Sequence, residues 1–183
     1  RLGMSRFPVT TAINRLAFER LVVIEPQHGS FVAKIAATDV REWMLVRRAL
    51  ETEIAAEAAR NPEGLVEELQ RNLRYQQAAV DAADAAGFYQ LDVEFHQLIA
   101  QSQGLHHAAE ILESVRAHLE RVRRMILAPE GRLPYTLAGH KAIVAALEAR
   151  DPQAARAAMN AHLSKTTELF DSIVAQKPGL FSS

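Results

Sequence analysis

The chain of 183 residues contains no cysteine. That absence removes disulfide frameworks, thiolate metal sites, iron–sulfur clusters and cysteine nucleophiles together, so any metal must be held by histidine and carboxylate. No apolar run approaches the roughly 20 residues that a membrane-spanning helix needs. The chain also lacks the charged-then-apolar pattern of a signal peptide, which makes a cytoplasmic protein with no membrane partner the expectation. Excess charge of either sign is missing too: 21 Lys and Arg face 22 Asp and Glu. There is no internal repeat, and no low-complexity tract beyond alanine-rich helix surface. What remains is globular composition, 49% hydrophobic and 23% charged, with a mass of 20.3 kDa that accommodates one ordinary domain plus a small second one.

The near-neutral total conceals an asymmetry. Residues 1–35 hold five basic side chains (Arg1, Arg6, Arg15, Arg20, Lys34) against Glu19 and Glu25, which leaves 16 basic and 20 acidic residues for the rest. Such a split points to a nucleic-acid-facing end joined to a part with another task. Within the first stretch Ser5 can cap a helix that takes Pro8 in its first turn and places Val9, Ala12, Ile13 and Leu16 on one face. LVVIEP, QHG and SFVA then read as two short strands around a glycine turn. Helix followed by hairpin is the end of a winged helix-turn-helix. A segment of about 36 residues is too small for its own core, so an upstream helix is expected to complete it.

From Asp39 onward helical periods repeat, and the expected fold is mostly α: a partial winged helix-turn-helix (1–36), an all-α six-helix bundle (38–176) and a frayed tail (177–183). Asp39 caps a first helix to about Arg60, and a second runs from Pro62 to about Ala86. Gly87 precedes a third, from Phe88 to Gln101, and a fourth covers about Leu105 to Leu127. A fifth spans about Tyr135 to Ala149. Asp151 and Pro152 open a sixth that reaches about Ala175.

Several polar residues fall on apolar faces. In the first long helix Arg47 lies inside the stripe of Val40, Trp43, Met44, Ile54 and Ala58, with Glu51 beside it. A buried arginine needs a charged partner. Two readings stand: an internal Arg47–Glu51 pair at i, i+4, or a contact to an anionic ligand. His140 sits among Leu137, Val144 and Leu147 of the fifth helix, and His162 among Met159, Leu169 and Ile173 of the sixth. In the third helix Asp92 and His96, four apart, project from one side. A single histidine on an apolar face is usually an ordinary core residue, but three of them with a carboxylate in one small bundle suit a divalent metal such as zinc, nickel or manganese. His118 reads as a packing or surface residue, His106 and His107 as exposed, and His28 as the tip of a wing that can enter a minor groove.

At this point the residues resemble a known family. GMSRFPVTTAINRLAFERLVVIEPQHGSFVA resembles the second half of the winged-helix domain of GntR-family bacterial transcription regulators. VRRALE, LDVEFHQLI and GHKAIVAALEARDPQAARAAMNAHL resemble the helical sensory domain of their FadR subfamily. The resemblance implies metal ligation by Asp92, His96, His140 and His162. This chain departs from the family pattern at Thr10 (usually Arg), Arg20 (usually Gly), Gly139 (commonly Glu) and Gly104 (in place of an Asn).

The expected function is a ligand-responsive transcription regulator, with repression as the family's usual mode, binding a palindromic operator DNA as a homodimer. Ser5, Arg6, Thr10, Thr11 and Asn14 would face the major groove, while His28 and Gly29 would carry the wing to the backbone or minor groove. The expected effector is a small carboxylate held by the metal and Arg47, in a pocket of about 300 Å³. A metal-dependent hydrolase or lyase acting on an organic acid is the alternative from another class, opposed by the lack of an obvious glutamate base beside the histidines. A helical adaptor with core histidines is the third.

Overall fold

The computed structural model describes residues 5–19, 21–127 and 131–182; Arg1 and Arg20, both among the basic residues of the first stretch, lie outside them. Helix α1 (Arg6–Phe18) is followed by an antiparallel hairpin of β1 (Val22–Glu25) and β2 (Gly29–Val32), paired in the register Val22 with Val32 and Glu25 with Gly29. Ser5 holds the N-cap position of α1, but its hydroxyl makes no capping bond. No residue of α1 is buried, and its apolar positions include Val9 and Leu16, both more than a third exposed.

Six further helices follow: α2 (Ala37–Arg60), α3 (Leu65–Asp81), α4 (Ala85–Gln101), α5 (His106–Leu127), α6 (Arg132–Glu148) and α7 (Pro152–Gln176). The α2–α7 pair forms the broadest contact, and α3 packs on both α4 and α6. The Asp151 carboxylate accepts from the N–H groups of Gln153 and Ala154, with Pro152 at the first helical position, as the sequence leads one to expect. The α3–α4 boundary differs from expectation. α3 stops at Asp81, Ala83 adopts a left-handed φ of 53°, and the Asp84 carboxylate accepts from Gly87 N–H to start α4. The alanine-rich DAADAAG stretch has strong helix propensity throughout, which hides the break; the cap, not the glycine, sets the boundary.

The core divides along the helices. One apolar cluster gathers Ile54, Leu69, Phe95, Ile99, Leu147 and Met159; a second gathers Val40, Met44, Val115, Leu119, Phe170 and Phe181. On α2 the second cluster reaches Met44 and the first begins at Ile54, and the buried Arg47 and Glu51 occupy the interval. Polar chemistry is therefore placed between two dry regions.

The tail is not frayed. After a 3-10 turn at Pro178–Leu180, strand β4 (Phe181–Ser182) pairs in parallel with β3 (Ile35–Ala36), and the Phe181 ring is buried edge-on to Phe170. A single aromatic residue with a hydrophobic slot to fill outweighs the flexible composition around it. Just before β3, Arg121 of α5 donates to the Ala33 carbonyl at 3.0 Å. Among the described residues no helix is long and apolar enough to cross a membrane.

Candidate metal centre

Asp92 and His96 project from one side of α4, His140 from α6 and His162 from α7, and each offers one ligand atom within 4.8 Å of all the others. Around an ion with bonds of about 2.1 Å, neighbouring ligand atoms stand roughly 3 to 4.2 Å apart, so the four need close in only slightly. Asp92 Oδ1 already lies 3.4 Å from His140 Nε2 and 3.8 Å from His96 Nε2.

The side chains behind these four are equally ordered. His96 Nδ1 is 2.5 Å from Glu51 Oε2, and Glu51 Oε1 accepts from Arg47 Nε at 2.6 Å. Glu51 thus serves both neighbours: the internal pair foreseen for Arg47 exists, and the same carboxylate also orients a histidine. Facing an acceptor-only carboxylate, His96 carries its proton on Nδ1 and leaves the Nε2 lone pair for the centre. His140 Nδ1 is 2.8 Å from Gln76 Oε1, and Phe95 stacks on its ring at 4.0 Å. The Nε2 atoms of His96 and His140 are both buried without a hydrogen-bond partner. Orphaned buried nitrogens are costly in a native fold, and a shared cation relieves both; the residues fit a divalent metal.

Charge reinforces the donor set. Burial opposes ionisation of Asp92, but the Arg123 guanidinium bonded to it, helped by the facing imidazoles and Arg47, holds its carboxyl well below the usual range. Burial pushes His140 down to about 3 against the pull of Asp92. His96 is lowered by burial and then by Arg47, and His162 by burial and then by His140. At neutral pH the cluster is one carboxylate and three neutral imidazoles, the state that binds a divalent ion.

Arg47, Arg123, Arg132, Thr136 and Thr166 wall a cavity of about 20 Å³ beside these residues. The expectation of about 300 Å³ is corrected: arginine side chains fill the space that helix spacing alone leaves open. Sequence reading missed Arg123 and Gln76. The signal was present, since Arg123 lies four residues after Leu119 and three before Ile126 on the buried face of α5, and Gln76 falls between the buried Leu69 and Ala79 of α3.

The other expected positions lie elsewhere. Ser5, Arg6, Thr10, Thr11 and Asn14 are exposed on or at the start of α1, with the Thr11 hydroxyl bonded to the Phe7 carbonyl. His28 and Gly29 are exposed at the hairpin turn. His118 stacks on Trp43 at 4.6 Å, while His107 is fully solvated.

Comparison with known proteins gives a consistent picture. Residues 42–165 match the FCD domain. The HTH-type transcriptional repressor RspR of Escherichia coli K12 is 34% identical over the whole chain, which covers 80% of that protein. An HTH-type transcriptional regulator in an unstable DNA locus of Streptomyces ambofaciens is 32% identical over the whole chain and 77% of its own length. Among solved structures, E. coli McbR/YncC shares the fold with a TM-score of 0.74 at 22% identity, over 97% of this chain and 83% of that one. A GntR transcriptional regulator from Rhodococcus sp. RHA1 does so with a TM-score of 0.71 at 23% identity, over 93% and 82%.

Proposed function

This chain belongs to the FCD-domain family of GntR-type transcription regulators, and we propose that it is a repressor whose helical bundle senses a small carboxylate through a divalent metal held by Asp92, His96, His140 and His162. The observation that carries the reading is the pair of partnerless Nε2 atoms converging on Asp92 Oδ1 beside a cavity walled by arginines. A bound ion supplies open coordination positions that polarise and hold a carboxylate oxygen. Arg47, anchored through Nε on Glu51, presents a guanidinium to the same cavity and contributes the second anion contact. Thr136, whose buried hydroxyl has no hydrogen-bond partner, adds a polar contact for the effector.

The size of the cavity bears on how sensing works. About 20 Å³ holds little more than one water-sized group, so an organic acid enters only as wall residues move, and its binding energy favours the arrangement with those residues displaced. A homodimer carries two copies of α1, with Arg6, Thr10 and Asn14 toward the major groove and His28 toward the adjacent backbone of a palindromic operator. A catalytic reading has less support, because Glu51, bonded to both Arg47 and His96, is not available as a general base.

Calorimetry with a panel of sugar acids and di- and tricarboxylic acids tests the proposal on wild type, Arg47→Ala and metal-stripped protein. A carboxylate should bind wild type and bind the other two at least tenfold more weakly. Equal binding to all three would reject both the metal and Arg47 as effector contacts.

A further inference from the structure

Behind His140 runs a chain of buried amides whose direction is fixed from one end. The Asn72 side chain places Nδ2 3.1 Å from the Leu91 carbonyl and 3.0 Å from Glu94 Oε2. Both partners only accept, so that end of the amide is the NH2 group, and Oδ1 must face the other way. There it accepts from Gln76 Nε2 at 2.6 Å, which turns Gln76 Oε1 toward His140 Nδ1 at 2.8 Å. Gln76 and His140 are fully buried and Asn72 nearly so, leaving no water to stand in for a wrong match.

We infer that Gln76, held in one sense by Asn72, is a positioning residue that keeps the His140 proton on Nδ1 and so presents the Nε2 lone pair to the metal centre. The opposite tautomer has a local attraction of its own: an Nε2–H would point at the Asp92 carboxylate, 3.4 Å away. Gln76 opposes it, because a bare Nδ1 would then meet the amide oxygen lone pair to lone pair. Phe95, stacked 16° from parallel, fixes the plane of the ring but cannot distinguish its two nitrogens. The proton's position is thus set three residues away, at Leu91 and Glu94, by the order of donors and acceptors along the chain. This inference rests on the metal reading above for its consequence, though the tautomer itself is measurable without metal.

The test uses the whole chain with histidine labelled in 15N. Imidazole 15N–1H correlation spectra of metal-free wild type should show His140 as the Nδ1–H tautomer. Gln76→Met removes the acceptor at similar volume and should shift His140 toward Nε2–H and weaken zinc affinity by about 10- to 100-fold in a chelator competition titration. Gln76→Glu keeps an oxygen facing Nδ1 while giving up the donor to Asn72 Oδ1, so it should hold His140 as the Nδ1–H tautomer although the amide chain behind it is broken. An Nε2–H tautomer in metal-free wild type overturns the inference whether or not any variant folds. So does a folded Gln76→Met protein with wild-type tautomer and affinity. If wild type shows the Nδ1–H tautomer and yet takes up neither zinc, nickel nor manganese, the amide chain stands and the metal reading falls.

Discussion

Removing the positive charge from Arg123 should strongly destabilise the bundle, and a divalent ion should partly reverse the loss. Arg123 and Asp92 are each only about 5% exposed and bonded to one another, so Arg123→Met leaves a buried carboxylate without its principal counter-charge. Breaking a buried pair from one side costs about 3–5 kcal/mol. The lost position of the guanidinium 5.8 Å over the Tyr89 ring adds a little more. For a chain of this size each kcal/mol lowers the melting midpoint by about 2–4 °C, so metal-free Arg123→Met should melt roughly 6–20 °C below wild type. A cation held beside Asp92 replaces the missing charge, and zinc should therefore raise the midpoint of the variant more than that of wild type. In the double variant Asp92→Asn with Arg123→Met no charge is stranded, and it should be more stable without metal than Arg123→Met alone. Differential scanning calorimetry of the three proteins, with and without zinc, reads all of this. A loss below 1 kcal/mol for metal-free Arg123→Met would show that solvent already neutralises Asp92 and would refute the reasoning.

Acid should weaken the metal-free fold early. Between pH 6.5 and about 3 an unfolded chain protonates the histidine that folded His140 keeps neutral, so that residue alone removes up to about 1.4 kcal/mol of stability per unit as pH falls through the window, and His96 and His162, also lowered by burial, act in the same direction. Asp92, depressed in the fold, extends the same trend below the unfolded carboxyl value of 3.8; urea titrations at pH 7, 5 and 4 read the histidines, and one at pH 3 adds the aspartate. Replacing Phe181 with Ala empties a buried aromatic slot and should cost about 3–5 kcal/mol, a large effect for a residue of the tail, readable from the urea midpoint. Arg6→Ala should weaken operator binding and reduce the salt slope of log K by about one; an unchanged slope excludes a phosphate contact. His162→Ala should lower zinc affinity at least tenfold while circular dichroism stays helical.

The parts of this molecule that were legible in the sequence are those where residue type and spacing agree. Three histidines on apolar helix faces, and an aspartate one turn from the first of them, stand out because imidazole is rare among Leu and Val, and the fold brings them together. Arg123 and Gln76 lie on equally apolar faces, but long polar side chains so often reach solvent that position alone did not mark them as buried. The end of α3 was hidden because alanine favours helix throughout the stretch, and a left-handed Ala83 carries none of the glycine signal that usually marks such a stop. The seating of Phe181 depends on β3, a strand remote in sequence, and the narrow cavity depends on how three arginines fold inward. Neither is encoded in any local pattern.

The parallel pairing of Ile35 with Phe181 also ties two distant stretches of chain to one apolar cluster. Strand β3 precedes every helix of the bundle in the sequence, and β4 follows them all. The apolar cluster around Val40, Met44 and Phe170 is closed on one side by the Phe181 ring of that last strand. The cluster of Ile54, Leu69 and Phe95 needs nothing from that strand. Removing the chain from residue 181 onward therefore uncovers Phe170 and its neighbours and spares the other cluster, so a cut at β4 is felt at the first turns of α2.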